Sequence, residues 1–221
     1  MTKKEILSRV DHTLLSVTAT AKEVRKTVRE GIKYSCASVC IPPRFVRVAA
    51  EEAKGKIAVC TVIGFPNGYS TAAVKALEAR EAIENGAAEI DTVIPVGALR
   101  EGDLEAVRSE LLLLREATRG YILKVIIETC LLTEEEKRTA ARLVSEAGAD
   151  FIKTSTGFSS GGATHGDVML LRESVADGVR VKAAGGISDF ADAERYILEG
   201  ADRLGTSRLV KILESEEAKG Y

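Results

Sequence analysis

Short apolar runs rich in β-branched residues alternate along this chain with longer, amphipathic and charge-rich stretches. This alternation is typical of βα units that surround a parallel sheet. A first short strand is predicted near residues 13–15, and seven more are predicted at Cys36–Ile41, Ile57–Ile63, Glu89–Ile94, Ile122–Ile127, Phe151–Ser155, Val179–Ala184 and Arg203–Gly205. Eight strands in 221 residues favour a closed (β/α)8 (TIM) barrel over an open doubly wound sheet. We expect a single domain over residues 1–221, because a chain of this length has little left over for a second core.

Three segments align without gaps and form an internal repeat, residues 86–91, 148–153 and 200–205. Each begins with a glycine that is typical of a helix C-terminus and leads directly into a predicted strand, the fourth, sixth or eighth. Alternate strands of such a barrel contribute side chains to the same interior layer. Asp91, Lys153 and Gly205 are therefore predicted at equivalent positions. A shared helix-to-strand loop explains part of the repeat, but it does not explain two opposite charges at one level of the core.

Three lysines, Lys124, Lys153 and Lys182, lie within predicted strands, whereas most other lysines fall on polar helical faces. A buried lysine is costly unless it is paired. The period of two along a strand directs Ile152 and Val181 toward the outer helices and the two neighbouring lysines toward the barrel interior. A structural ion pair would explain one such lysine. Three of them on consecutive strands favour a functional interpretation.

The chemistry of these residues indicates an aldolase-type site. A lysine amine becomes a nucleophile near neutral pH when desolvation or a neighbouring cation lowers its pKa, and the free amine then forms an imine with a carbonyl. Lys153 and Lys182 lie on adjacent predicted strands and could supply that effect to each other. Asp91, at the same level, would accept or return a proton.

Glycine-rich segments follow the seventh and eighth predicted strands. Backbone N–H groups approach an anion closely at glycines, the following helix N-terminus favours negative charge, and barrels often bind phosphate between these loops. A lone glycine pair is more often a turn, but two such loops beside the lysines favour a phosphorylated small substrate. The predicted binding residues are Gly185, Gly186, Gly205, Thr206 and Ser207, with Gly157 on a third side.

Composition narrows the remaining classes. A net charge of −2 gives no reason to expect nucleic acid or an acidic membrane surface as a partner. The chain has no apolar run long enough for a signal peptide or a membrane span, so a cytoplasmic location is expected. The four cysteines lack zinc-site spacing, and the two histidines, His12 and His165, are far apart. We expect no metal and no other cofactor.

Taken together, several motifs resemble the deoxyribose-phosphate aldolase family, and they extend from about residue 10 to about residue 207. The most specific are Phe-Ile-Lys-Thr-Ser-Thr-Gly-Phe at 151–158 and Lys-Ala-Ala-Gly-Gly-Ile at 182–187. The others are Asp-His-Thr-Leu-Leu at 11–15, Cys-Ile-Pro-Pro-Arg at 40–44, Gly-Phe-Pro-Asn-Gly at 64–68, Glu-Ile-Asp-Thr-Val at 89–93, Lys-Val-Ile-Ile-Glu-Thr at 124–129 and Gly-Thr-Ser at 205–207.

The resemblance implies reversible cleavage of 2-deoxy-D-ribose 5-phosphate to acetaldehyde and D-glyceraldehyde 3-phosphate. It implies that Lys153 forms a Schiff base, that Asp91 and Lys182 move protons, and that the protein is a homodimer or homotetramer. It also implies that a C-terminal tyrosine, here Tyr221, reaches over the active-site mouth. A frayed end is the alternative for this residue.

Other positions stay open at this point. Phe158 and Arg208 depart from the resemblance, since some members have a lysine and a serine there. Asp11 and Thr13 could hydrogen-bond near the rim of the site, but Asp11 could equally cap a local turn. Cys40 is either a reactive thiol facing the site or a buried structural cysteine. Lys124 is a further possible site residue.

Two rival functions share parts of this pattern. A phosphate-binding barrel isomerase would use the same loops but a carboxylate or cysteine base. A sugar-phosphate sensor without catalysis would keep the phosphate loops and an unreactive lysine. Reductive trapping of an imine distinguishes both from an aldolase.

Overall fold

The computed structural model of the protein describes residues 1–219, and their strands form one closed parallel barrel in which each strand pairs with its neighbours in the chain and β8 pairs with β1. The strands are β1 Val10–Thr13, β2 Ser38–Ile41, β3 Ala58–Ile63, β4 Glu89–Val93, β5 Ile122–Ile126, β6 Phe151–Lys153, β7 Arg180–Ala184 and β8 Arg203–Thr206. The predicted (β/α)8 barrel is confirmed.

Helices cover the outside of the barrel and follow the strands in order. They are α1 Lys3–Leu7, α2 Ala21–Lys33, α3 Val46–Ala53, α4 Ala72–Glu84, α5 Val96–Glu101, α6 Leu104–Ala117, α7 Glu134–Glu146, α8 His165–Ser174, α9 Phe190–Leu198 and α10 Arg208–Lys219. Among the described residues, no helix combines the length and the apolar character needed to cross a membrane.

Helix α2 illustrates how the sequence builds these outer elements. Thr20 and Glu23 form a capping box that satisfies N–H groups at its start. Its buried residues Val24, Val28 and Gly31 recur at helical spacing and face the barrel. A Cβ on Gly31 would lie 2.6 Å from a side-chain carbon of Val39, so this glycine lets the helix approach β2 closely.

The first strand was predicted too late in the chain. It spans Val10–Thr13, whereas the prediction placed it near residues 13–15, in the loop that follows. Periodicity misplaced it because two strand residues are polar: Asp11 is buried inside the barrel, and the His12 Nε2 atom lies 2.8 Å from the Glu30 carboxylate of α2. Partners on both faces of the strand thus replace the apolar pattern that a strand normally shows.

The repeated glycines have the predicted role. Gly86, Gly148 and Gly200 lie just beyond α4, α7 and α9 with φ of 105°, 70° and 115°, a conformation that favours glycine, and each precedes the next strand.

The strand register arranges the barrel interior in layers. Asp91 lies opposite Lys124, and Lys124 lies opposite Phe151. Because barrel strands are tilted and staggered, the residue level with Asp91 two strands away lies two positions further along, at Lys153. The same shift leads from Lys153 to Gly205, in agreement with the predicted equivalence of these positions.

Three interior layers of four residues follow from this register. The upper layer contains Cys40, Asp91, Lys153 and Gly205. The middle layer contains Asp11, Cys60, Lys124 and Lys182. The lower layer contains Ser38, Glu89, Phe151 and Arg203. The apolar core lies outside these layers, between barrel and helices, where Ile152 and Val181 are buried as predicted.

One buried lysine lies outside the barrel and is an exception to the rule that most helical lysines lie on polar faces. Lys75 of α4 is fully buried, and its ammonium donates to Gly68 O at 2.7 Å, Val93 O at 2.8 Å and the Glu110 carboxylate at 2.6 Å. Burial lowers the pKa of Lys75 and raises the pKa of Glu110, while each partner acts against the shift in the other. The pair ties α4 and α6 to the loop after β3.

We predict that Lys75→Met lowers the free energy of unfolding by about 3–5 kcal/mol, because the Glu110 carboxylate stays buried without its cation. Lys33→Met is the matched control, since both side chains of the Lys33–Glu217 pair are more than half exposed, at 56% and 52%. It should lower stability far less, because solvent screens an exposed pair. Urea unfolding measures both. Equal losses in the two variants would contradict a structural role for the Lys75 pair.

Candidate active site

The upper part of the barrel brings Lys153, Asp91 and Lys182 together around one carboxylate oxygen. Asp91 Oδ2 accepts from the Lys153 ammonium at 2.8 Å and from the Lys182 ammonium at 2.8 Å. All three side chains are buried, and each projects inward from its own strand, β6, β4 or β7. The residues predicted to carry the chemistry therefore meet at the Asp91 carboxylate.

Lys124 and Asp11 lie in the middle layer with Lys182, one layer below Lys153 and Asp91, and extend this cluster. The Lys124 ammonium donates to Asp91 Oδ1 at 2.8 Å and pairs with Glu89 at 2.6 Å. Asp11 pairs with Lys182 at 2.5 Å and with Arg203. The expected positions of Asp11, near the rim or capping a turn, are both wrong, because the residue lies within β1 and faces the interior.

Opposite charges hold this cluster in its ionised form. Burial acts to raise the pKa of the Asp91 carboxyl, but Lys124, Lys153 and Lys182 together hold that pKa well below its usual value. Burial likewise acts to lower the pKa of Lys182, but Asp11 and Asp91 raise it above its usual range. A neighbouring lysine, Lys124, does act to lower the pKa of Lys182, but the net shift is upward because Asp11 and Asp91 outweigh it.

Two groups of potential metal ligands lie inside the barrel, Cys40 with Cys60 and Asp91, and Cys60 with Asp11 and Glu89. The Lys124 ammonium lies among these atoms, 3.3 Å from Cys60 Sγ as well as within hydrogen-bonding distance of Asp91 and Glu89. The Lys124 ammonium thus already occupies the position next to Cys60, Asp91 and Glu89 that a metal ion would take.

A cavity of about 260 Å³ opens above Lys153 at the carboxyl ends of the strands. Thr13 lines it, and so does every residue predicted to bind substrate or phosphate: Gly157, Gly185, Gly186, Gly205, Thr206 and Ser207. Leu15, Ser16, Thr156 and Ile187 also line it and had no assigned role as individual residues. Their loop positions next to the predicted strand ends were the available signal.

The loops at the cavity differ in their anion-binding features. Gly185 and Gly186 have φ of 79° and 81°, which glycine adopts readily. Helix α10 begins directly after Ser207, so its positive end faces the cavity-lining segment. The N-terminus of α9 is instead capped by the Asp189 carboxylate, which accepts from the Asp192 N–H. Helix α10 thus presents its N-terminus to the cavity lining, whereas an acidic side chain already lies at the N-terminus of α9.

Gly205 also provides space inside the barrel. A Cβ at this position would lie 2.9 Å from the Ala184 Cβ and 3.2 Å from the Lys182 Cε. A larger residue would therefore displace the Lys182 side chain.

The remaining predicted residues lie at the margins of the site. Cys40 is fully buried in the upper layer and, among the described residues, is not part of the cavity lining, which favours the structural interpretation. Phe158 is half exposed at the cavity edge, with its ring edge-to-face on Phe65 at 5.4 Å. Arg208 is exposed. Tyr221 lies outside the described residues.

Glu89 and Arg203 are the parts of the charge network that sequence reasoning missed. Glu89 pairs with Lys124, and Arg203 lies 3.3 Å from Glu89 and also pairs with Asp11. Glu89 precedes Asp91 by two positions and therefore points to the same side of β4, which was a usable signal.

Comparison with known proteins agrees with this geometry. A family model described as DeoC/LacD family aldolase matches residues 6–217. A deoxyribose-phosphate aldolase from Streptococcus pyogenes serotype M4 (strain MGAS10750) is 52% identical over 219 residues, which cover 99% of this chain and 98% of that protein.

Solved structures give the same result. QR15, an aldolase, superposes with a TM-score of 0.91 at 37% identity, covering 97% of this chain and 98% of that one. A deoxyribose phosphate aldolase from Aeropyrum pernix, described as a unique tetramer, superposes with a TM-score of 0.89 at 35% identity, covering 99% and 93%. The protein with the lysine cluster and open cavity described above belongs to the DeoC/LacD family of aldolases.

Proposed function

We propose that the protein is a class I aldolase that reversibly cleaves 2-deoxy-D-ribose 5-phosphate to acetaldehyde and D-glyceraldehyde 3-phosphate. The observation that carries the proposal is the placement of Lys153. Its buried amine contacts Asp91 and lines the cavity whose walls include the Gly185–Gly186 loop and the residues before α10. A carbonyl at the amine and a phosphate at these loops would both be bound in one cavity.

Charge balance supports Lys153 as the amine that reacts. The barrel interior contains the carboxylates Asp11, Glu89 and Asp91, and the basic side chains Lys124, Lys153, Lys182 and Arg203. Three negative charges compensate three positive ones, so loss of one proton leaves the interior neutral. Lys153 is the basic residue of this group that lines the cavity, so its amine is the one that a substrate reaches.

The first chemical step joins Lys153 to the substrate. The free amine nitrogen attacks C1 of the open-chain aldehyde, and a proton moves from nitrogen to the new hydroxyl. Protonation of that hydroxyl and loss of water then give a protonated imine. Asp91 Oδ2 contacts both lysine ammonium groups, so it links the reacting nitrogen to Lys182 as a proton source.

Bond cleavage uses the imine as an electron sink. The C3 hydroxyl loses its proton, the oxygen electrons form the carbonyl of D-glyceraldehyde 3-phosphate, and the C2–C3 bond breaks. The electrons of the C2–C3 bond form an enamine on Lys153 and neutralise the imine nitrogen. Asp91 and Lys182, through water, carry the proton from the hydroxyl to C2. Hydrolysis of the resulting imine releases acetaldehyde and restores Lys153.

We also propose that the protein acts in the cytoplasm as a homodimer or homotetramer, without nucleic acid or membrane as a partner. The net charge of −2 supports the absence of a polyanion partner, and the tetrameric aldolase from Aeropyrum pernix supports the oligomer.

We predict that acetaldehyde and borohydride add a reduced two-carbon group to Lys153 and that activity falls as the label accumulates, because the imine is the reducible species. Peptide mass mapping locates the label. Lys153→Met should take up none. If the protein loses activity while the label is on Lys182 or Lys124 and Lys153 stays unmodified, the assignment of Lys153 is wrong. An absence of trapping would instead favour the isomerase or the sensor.

We predict that dialysis against a metal chelator leaves the cleavage rate unchanged, since the protonated imine stabilises the developing carbanion without a Lewis acid. The rate is measured before and after dialysis. A loss of activity that zinc restores would contradict the Schiff-base mechanism.

We predict that Ser207→Asp raises KM for 2-deoxyribose 5-phosphate by roughly ten- to hundredfold, because a carboxylate at the start of α10 repels the phosphate. Ser207→Asn is the matched control, since asparagine also caps a helix but has no charge. Neither change should alter KM for unphosphorylated 2-deoxyribose by more than about twofold. Steady-state kinetics of both substrates provide the test, and equal effects on the two substrates would argue against phosphate binding there.

A further inference from the structure

The loop between β7 and α9, residues 185–189, is supported from behind by side chains that do not line the cavity. Its glycines, Gly185 and Gly186, contact the segment that precedes α8. A Cβ on Gly162 would lie 2.6 Å from the carbonyl carbon of Gly185, and the Ala163 carbonyl lies 3.6 Å from the Cβ position of Gly186. The two backbones are thus in direct contact.

Ala163 connects this loop to a buried tyrosine. Its N–H donates to Ala184 O at 3.0 Å and Gly185 O at 3.1 Å, so it binds the loop directly. Its carbonyl accepts from the Tyr196 hydroxyl at 2.8 Å. Tyr196 lies on α9 and is only 4% exposed. One residue, Ala163, thus connects α9 to the first half of the loop through its N–H and its carbonyl.

His165, the first residue of α8, fixes the tyrosine and the far end of the loop. Its ring stacks on Tyr196, with centroids 4.1 Å apart and planes 14° from parallel. Its ring nitrogens face two carboxylates: Nδ1 contacts Glu199, directly after α9, and Nε2 lies 3.2 Å from Asp192 on α9. Asp192 also accepts from the Ser188 N–H at 2.8 Å, at the end of the loop.

We propose that Tyr196 and His165 are positioning residues that hold the Gly185–Gly186 backbone in the conformation that binds the substrate phosphate. The inference rests on the proposed function. Neither side chain is among the described residues that line the cavity, so both act through Ala163, Asp192 and the loop.

Tyr196→Phe tests this directly, because it removes the hydroxyl and keeps the ring. We expect KM for 2-deoxyribose 5-phosphate and the dissociation constant of inorganic phosphate, measured by calorimetry, each to rise about fivefold, as for one lost hydrogen bond. The turnover number, KM for 2-deoxyribose and acetaldehyde trapping at Lys153 should change less than about twofold. Tyr34→Phe, which removes a hydroxyl bonded to Lys33 on α2, should change none of these quantities.

His165→Phe is the second variant, and it keeps the stacked ring while releasing both carboxylates. It should raise KM for 2-deoxyribose 5-phosphate and the dissociation constant of phosphate and leave trapping intact. It provides an independent test if Tyr196→Phe folds poorly. Unchanged phosphate affinity in well-folded variants, or an equal loss for phosphorylated and unphosphorylated sugars, would overturn the proposal. Phosphate affinity is measured without turnover, so this result is independent of whether Lys153 forms a Schiff base.

Discussion

The arrangement of this barrel depends on the carboxylate of Asp91, which contacts three lysine ammonium groups from three different strands. A buried charge is tolerated only when opposite charges and hydrogen bonds replace the water that it loses. Asp91 meets this condition, and in turn it makes the burial of Lys124, Lys153 and Lys182 possible. The interior is therefore held by a charge network where most barrels have branched apolar side chains.

The network also separates the roles of its lysines. Lys124 and Lys182 each contact carboxylates in more than one layer. Burial acts to lower the pKa of both lysines, but these carboxylates raise it above its usual value. Both remain cations at neutral pH. Lys153 has its ion-pair partner, Asp91, on one side and the open cavity on the other. The ion pairs of Lys124 and Lys182 thus surround Lys153 with fixed charges, while the amine of Lys153 lies at the floor of the cavity.

Much of this arrangement could be predicted, because the features that specify it are local. Alternating patterns predicted the strands and the barrel, and the repeat placed Asp91, Lys153 and Gly205 in one layer, as the register confirms. Predictions failed where a distant partner overrides a local preference. Asp11 and His12 concealed β1 because their partners lie in other elements. Distant partners also explain the burial of Lys75, which its place in a helix does not indicate, because Glu110 and two carbonyl groups surround its ammonium.

The residues proposed for chemistry and those proposed for phosphate binding are held by different parts of the fold. Lys153, Asp91 and Lys182 project from strands, whose register is fixed by pairing around the whole barrel, so a small shift in one strand would disturb all three contacts. The proposed phosphate-binding residues lie on loops, and their positions depend on a few contacts from α8 and α9. Changes in those helices would alter binding of the phosphate end while the amine keeps its place. The closed sheet thus fixes the positions of Lys153, Asp91 and Lys182, and the helices that support the loops determine the loop positions.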